Sequence, residues 1–398
     1  MQRIRIGMVA GVLLVTLLTG CWNRRELNEL GILSGAAIDK IGNQYQVSAQ
    51  VVIPDQVSSR SKGGKAPVTL YKASAPTLFE AFRNLTTTSP RKIYTAQIQV
   101  LILGESVAQE GVAKVLDLLV RNPETRMNYA VFVAKKTSAE SILKVLTPLE
   151  KIPADSLYNS LETSSKVWAP ITKVTVDILI DHMTGKGIHP VLPGVTIIYD
   201  AKENPSGDET KTDYPEKPQL SGLAIFKKDK LVGWLGPNEG KGYNYITNKV
   251  KTTVGNLKCS DGNLLALEII SSHTDLKCRL VNGKPVIEVQ VETEANVGEV
   301  TCSMDVTSPL VIEELEKKGA EKANELMKHT VEVMQKQYKT DIFGFGQAIY
   351  KTYPELWKRL EDDWDERFAD LKVVYKTKLH IRNTGMTSNS LENIMKEK

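Results

Sequence analysis

Two nearly continuous aliphatic runs, AQIQVLILG (96–104) and RMNYAVFVA (126–134), alternate with stretches of helical periodicity, SVAQEGVAKVLDLLVRN (106–122) and TSAESILKVL (137–146). This alternation constrains the fold more than any other feature. A branched run of strand length without polar alternation suits a strand buried on both faces, and such strands occur where helices cover both sides of a largely parallel sheet. Thr137 or Ser138 is placed to cap the second helix, with Glu140 available for a capping box. Upstream, GILSGAAIDKIGNQYQVSAQVVIP (31–54) reads as a hairpin turning at Gly42-Asn43, and QVSSRSKGGKAP (56–67) as a polar loop. SAPTLFEAFRNLT (74–86) then begins a helix, with Pro76 early and Leu78, Phe79, Phe82 and Leu85 at helical spacing. Residues 154–184 are expected to be helical in two pieces divided by Pro170, and HPVLPGVTIIYD (189–200) to return to strand. Residues 21–200 form one α/β domain.

The stretch 201–218, AKENPSGDETKTDYPEKP, is charged and proline-rich and reads as a linker that lets the later domains hinge on the first. LSGLAIFKKDKLVGWLG (220–236) is a hairpin with Lys227–Lys230 at its tip and Trp234 on the return strand. With the strand-rich YNYITNKVKTTVGN (243–256) it makes a small β-rich middle domain, 219–260. GKGYN (240–244) lacks the spacing of a phosphate-cradling loop and reads as a turn. A C-terminal α+β domain spans 261–385. It contains the hairpin signal Asn282-Gly283 and a long helix, 308–338, whose apolar stripe includes Leu315, Ala323, Met327, Val331 and Met334. Two shorter helices broken near Pro354, a closing strand LKVVYKTKLHIRNTG (371–385) and a frayed tail, 386–398, complete the chain. The expected class is a multidomain α+β or α/β protein with mixed sheets flanked by helices.

The chain opens on Arg3 and Arg5, an apolar run from Ile6 to Thr19, and Leu18-Thr19-Gly20 leading into Cys21. That pattern is a secretory signal, 1–20, with a lipobox. The run is shorter than the roughly 20 residues that cross a bilayer, and Cys21 supplies the thiol that takes a diacylglyceryl group. Removing the signal leaves 378 of the 398 residues, enough for two or three domains. The formal charge of +4 falls to +2 with Arg3 and Arg5 gone, too little to argue for a nucleic-acid partner. Three further cysteines, Cys259, Cys278 and Cys302, permit at most one disulfide and fit no zinc spacing.

No catalytic constellation stands out. Asp181, His182 and His189 lie close in sequence, but the neighbouring glycines and Pro190 favour a helix end and loop over a metal site. EDDWDERF (361–368) spaces Trp364 and Phe368 as one helix face, so its acids read as a solvated one. No cofactor motif is found, and an enzyme is not expected.

The opening CWNRRELNELGILSGAAID, the strand YQVSAQVVIP, and TDIFGFGQAIYKTYPELW followed by DDW and LKVVYKTKLHIRNTG resemble the Ger(x)C family, over essentially the whole mature chain. These proteins are the lipoprotein C subunits of nutrient germinant receptors in endospore-forming bacteria. The resemblance implies a three-domain lipoprotein on the outer leaflet of the spore inner membrane. It works beside two integral membrane subunits, one of them the better candidate for binding the germinant, so direct small-molecule binding here is not expected. Only Cys21 carries over as a functional residue, and no catalytic residues or cofactor do. Phe343 and Phe345, set between glycines, are candidates for an exposed partner surface, against the alternative of a tight helix start with buried aromatics. The rival reading is a lipid-anchored solute-binding protein, for which two similar α/β lobes around a cleft are expected.

Overall fold

The computed structural model describes residues 26, 29–57, 66–199, 216–302 and 304–384. The signal, Cys21, most of the 56–67 loop, Asp200, 201–215 of the linker and the tail lie outside them. Strands β1 (Leu30–Ile41) and β2 (Gln44–Val52) form the expected hairpin about Gly42-Asn43. β3 (Val68–Ala75) extends it, and the short β4 (Lys92–Tyr94) pairs with the start of β1. On the other side of β1, strands β5 (Val100–Leu103), β6 (Ala130–Ala134) and β7 (Val191–Tyr199) follow in parallel.

Both aliphatic runs are buried on both faces. Leu101, Leu103, Val131 and Val133 face one layer of helices: α1 (Leu78–Asn84), α2 (Glu105–Glu110), α3 (Ala113–Val120) and, beyond the sheet's other helices in sequence, the segment Val176–Thr184. Val100, Ile102, Ala130 and Phe132 face α4 (Ala139–Lys144) and α5 (Pro153–Val167). The Val176–Thr184 helix is α6. Each such aliphatic side chain contributes roughly 1.5–3 kcal/mol by leaving water, which is why so short a pair of strands anchors the sheet. Leu78 and Leu85 of the expected apolar stripe are buried, with Ala81 beside them, whereas Phe79, expected on the same stripe, is 58% exposed. Ser138 caps α4, which moves Glu140 out of capping-box position and into a hydrogen bond from Gln46 Nε2.

The organisation after residue 200 differs from the expected one. β8 (Glu216–Lys227) pairs antiparallel with β7, and β9 (Lys230–Leu235) pairs with β8, so both complete the first sheet. Residues 200–215 therefore join two neighbouring strands of one sheet and do not separate domains, which removes the expected hinge. The expected middle domain 219–260 is divided: its hairpin belongs to the first sheet, and β10 (Thr253–Lys258) to a second sheet ordered β10-β11-β12-β13. The residues between form a helix, α7 (Pro237–Ile246), where GKGYN was expected as a turn and YNYI as strand. Pro237 starts it, and Gly242 lets it lie directly on a neighbouring helix, since a Cβ there would fall 2.1 Å from Thr330 Oγ1.

In the second sheet β11 (Leu264–Val281) and β12 (Lys284–Val300) turn at Asn282-Gly283, and β13 (Lys372–Asn383) joins β12 in parallel. Helix α8 (Pro309–Val333) covers one face with Leu315, Ala323, Met327 and Val331, then widens into a π turn over Met334–Tyr338. Two further helices follow, α9 (Phe345–Thr352) and α10 (Trp364–Ala369), with a turn at Pro354–Trp357 between them. One core runs through both sheets: Val191, Leu223, Ile225 and Leu235 of the first pack in the same cluster as Leu267, Met327, Phe345 and Trp357. A disulfide joins Cys259 to Cys302 with 6.3 Å between Cα atoms, and Cys278 is a free, partly buried thiol.

The disulfide closes a loop of 43 residues, so replacing both partners by serine is expected to cost about 2–4 kcal/mol. Urea unfolding of the double variant against wild type checks this; an unchanged midpoint contradicts it.

Candidate functional site

The motif TDIFGFG places Asp341 between the π turn and α9, with no exposed surface. Its Oδ1 accepts hydrogen bonds from the backbone N–H groups of Phe343 (3.0 Å), Gly344 (3.0 Å) and Phe345 (3.3 Å). Its Oδ2 accepts from Gly346 N–H (2.8 Å) and from the indole N–H of Trp364 (3.2 Å). Burial pushes the carboxyl up to about 6, against the pull of the Gly346, Phe345 and Phe343 amides. By drawing those amides inward, Asp341 turns the two phenylalanines into the core. Their rings stack 5.0 Å apart, and Phe343 and Phe345 are 3% and 0% exposed. The expectation of an exposed partner surface at Phe343 and Phe345 is therefore corrected, and the helix start with buried aromatics is what the chain forms.

The same knot holds the two sheets together. Gln347 N–H donates to Gly187 O (3.1 Å) and His189 N–H to Asp341 O (2.8 Å). Gly187, at φ +65°, sits so close that a Cβ would lie 2.5 Å from the Gly346 carbonyl carbon. His189 Nδ1 accepts from Lys228 N–H (3.1 Å), which leaves the ring proton on Nε2 facing Asp365 Oδ1 (3.1 Å). Lys227 reaches the other oxygen of Asp365 at 2.9 Å, and Lys186 meets Glu361 at 2.9 Å. Burial opposes the charge on Asp365, yet His189 and Lys227 outweigh it and hold the carboxyl below the usual range. Two acids of EDDWDERF, Glu361 and Asp365, thus reach the first sheet's loops while staying partly exposed, and Asp362 and Glu366 face solvent as expected. Nothing local in the sequence marks this, since His189 and Asp365 are 176 residues apart. A cleft of about 540 Å³ opens beside the junction, between His189, Lys228, Trp357 and Glu361.

Asp181, His182 and His189 do not converge. Burial, assisted by Lys249 and opposed by Asp181, pushes His182 down to about 4, while His189 is committed to Lys228 and Asp365. Among the described residues, the group close enough to share an ion is Cys259, Asp261 and Cys302, whose ligand atoms lie within 4.8 Å of one another, but both sulfurs are in the disulfide. At the carboxyl end of β1, where parallel sheets often receive anions on a helix N-terminus, Asp39 occupies the position: its oxygens accept from Ala139 N–H (2.9 Å) and Glu140 N–H (2.8 Å) of α4. Cys21 lies outside the described residues.

Asp341→Asn turns an amide toward donors that need an acceptor, so a loss of about 2–4 kcal/mol in urea unfolding is expected; wild-type stability in that variant contradicts the assigned role. His182 takes its proton later in the folded chain, at about 4, than in the unfolded chain, near 6.5. The stability it contributes is therefore complete above about pH 6.5 and is lost as the pH falls toward 4. Allowing for partial solvent access, His182→Asn should gain about 1–2 kcal/mol on wild type between pH 7.5 and pH 5. Parallel pH dependences in the two proteins contradict it.

Residues 23–197 match the family described as "Spore germination protein N-terminal domain", and residues 221–385 that described as "Spore germination B3/ GerAC like, C-terminal". Spore germination protein KC of Bacillus subtilis (strain 168) is 31% identical over 398 residues, 97% of each chain. Spore germination protein B3 of the same organism is 25% identical, over 92% of this chain and 95% of its own length. A solved structure titled "Crystal Structure of the GerBC protein" shares the fold, with a TM-score of 0.57 at 21% identity, over 88% of this chain and 97% of that one. The motif that builds the Asp341 knot and the two-sheet architecture thus stand in a chain that belongs to the Ger(x)C family of spore germination proteins.

Proposed function

We propose that this chain is the C subunit of a spore nutrient germinant receptor, a non-catalytic lipoprotein held by Cys21 on the outer leaflet of the spore inner membrane. It docks with two integral membrane subunits, supports their assembly and passes on their state. The observation that carries this reading is the end-to-end likeness to Spore germination protein KC, over 97% of both chains. The apolar run ending at Cys21 supports the anchor, and two or three acyl chains at about 0.8 kcal/mol per buried methylene hold a protein firmly on a bilayer. No described helix is long and apolar enough to cross a membrane. The shared core supports a docking and relay role, because a load on one sheet reaches the other without a hinge. The solute-binding alternative draws less support, since the first sheet is α/β with helices on both faces and the second is a four-stranded sheet backed by α8.

Spores lacking this chain should lose the response to a subset of amino acids, sugars or nucleosides, followed by dipicolinate release. The wild-type chain should restore that response and Cys21→Ala should restore it at least about tenfold more slowly. Full restoration by Cys21→Ala removes the anchor from the mechanism, and an unaltered response in null spores without a redundant receptor removes the receptor role.

A further inference from the structure

The disulfide end of the second sheet gathers three donor side chains. Cys259 follows β10, Cys302 follows β12, and the exposed Asp261 stands on the turn between β10 and β11. The two sulfurs and a carboxylate oxygen of Asp261 all lie within 4.8 Å of one another. A tetrahedral zinc ion with bonds of about 2.0–2.3 Å sets its donors about 3.4–3.8 Å apart, so side-chain rotation alone brings these three around one. The sequence spacing hides the set because Cys302 returns from the far end of the β11–β12 hairpin, 43 residues after Cys259.

Both arms are held by hydrogen bonds as well as by the disulfide. Cys259 N–H donates to Asn263 O (2.9 Å) and Gly262 N–H to Cys259 O (3.1 Å), closing the turn around Gly262 at φ +84°. The backbone N–H and side-chain amide of Asn263 donate to the two oxygens of Asp261 at 3.0 and 3.2 Å, which fixes the orientation of the carboxylate. On the other arm Thr301 N–H donates to Leu264 O (3.1 Å), and Leu264 N–H to Thr301 Oγ1 (3.1 Å). Reduction therefore leaves two thiols facing each other across 6.3 Å between Cα atoms, beside an acid that opens to solvent. Two thiolates with one carboxylate suit a soft or borderline cation and not magnesium or calcium.

We propose that Cys259, Asp261 and Cys302, once their disulfide is reduced, hold a divalent cation of the zinc class, with water in the fourth position. A dithiol supplies the two electrons: its sulfurs close into a disulfide of their own while the bond between Cys259 and Cys302 breaks and both sulfurs take up the dithiol's protons. The ion then displaces those two protons to solvent and binds both thiolates. It ties the β10–β11 turn to the chain entering α8, as the disulfide does, so this end of the sheet stays closed in either redox condition. Cys278 stands apart, about 40 Å along β11 from the turn, and burial pushes its thiol up to about 11, which keeps it a poor ligand.

Cobalt(II), which shows thiolate charge-transfer and tetrahedral d–d bands where zinc is silent, tests this on the purified full chain. The chain is reduced with a dithiol, freed of it under argon, and titrated with cobalt chloride and then zinc chloride. One cobalt per chain should bind with both bands after reduction and none before it, and zinc should displace it. The bands should persist in Cys278→Ser and Cys21→Ala and vanish in Cys302→Ser. Asp261→Asn, which keeps an acceptor for Asn263 N–H and loses the charge, should bind about tenfold more weakly. Zinc should also raise the urea midpoint of the reduced wild type toward that of the disulfide form. If Cys302→Ser does not fold, Asp261→Asn and the disulfide form carry the comparison. Cobalt bound without the thiolate band, bands that survive in a folded Cys302→Ser, equal affinity in Asp261→Asn, or a reduced chain that loses its near-ultraviolet circular dichroism and does not regain it with zinc overturns the proposal.

Discussion

The arrangement of the two sheets depends on one desolvated carboxylate. Left without partners, the charge on Asp341 would cost far more than a domain's whole net stability, and five donors converge on it instead. Four of these are successive backbone amides, so the chain from 343 to 346 has one conformation available. That conformation sets where α9 begins, brings Gly346 against Gly187, and fixes Trp364 through its indole N–H. The position of the first sheet's loop is thus a consequence of how one acid is solvated by the second unit.

Local physics made much of the first sheet legible. The runs around Val100 and Ala130 could bury both faces only between helices, and the helices that do so were visible as amphipathic stretches. The failures have a common cause. Tyr243, Tyr245 and Ile246 favour strands in isolation, but α7 lies on α8 through Gly242, and packing overrides the preference. The hairpin around Lys228 was evident from its tip, yet nothing within it says that its first strand pairs with β7. Phe343 and Phe345 looked exposed or buried according to whether something drew their amides inward, and the acid that does so is completed by Trp364, 23 residues later.

Asp39 repeats the device in the first unit. A search for a cap on α4 finds Ser138, beside the helix in sequence, whereas Ala139 and Glu140 give their N–H groups to a carboxylate at the end of β1, 100 and 101 residues away. Burial raises the carboxyl of Asp39 too, against those two amides. In both units a helix start that elsewhere binds an anionic ligand is filled by an acid of the chain itself. At both helix starts the buried hydrogen-bonding geometry therefore holds the chain's own elements in place.

That allocation bears on how the molecule can act. A binding protein that closes around a ligand needs two bodies and a flexible connection, and here Val191 and Leu223 share a core with Phe345 and Trp357 while His189 bridges to Asp365. Moving one sheet against the other would uncover that core and separate Gly187 from Gly346, a contact with no slack for sliding because the backbones already touch. The described residues of the two sheets thus form one body. Whatever touches the surface of one sheet is thereby held at a fixed separation from the surface of the other.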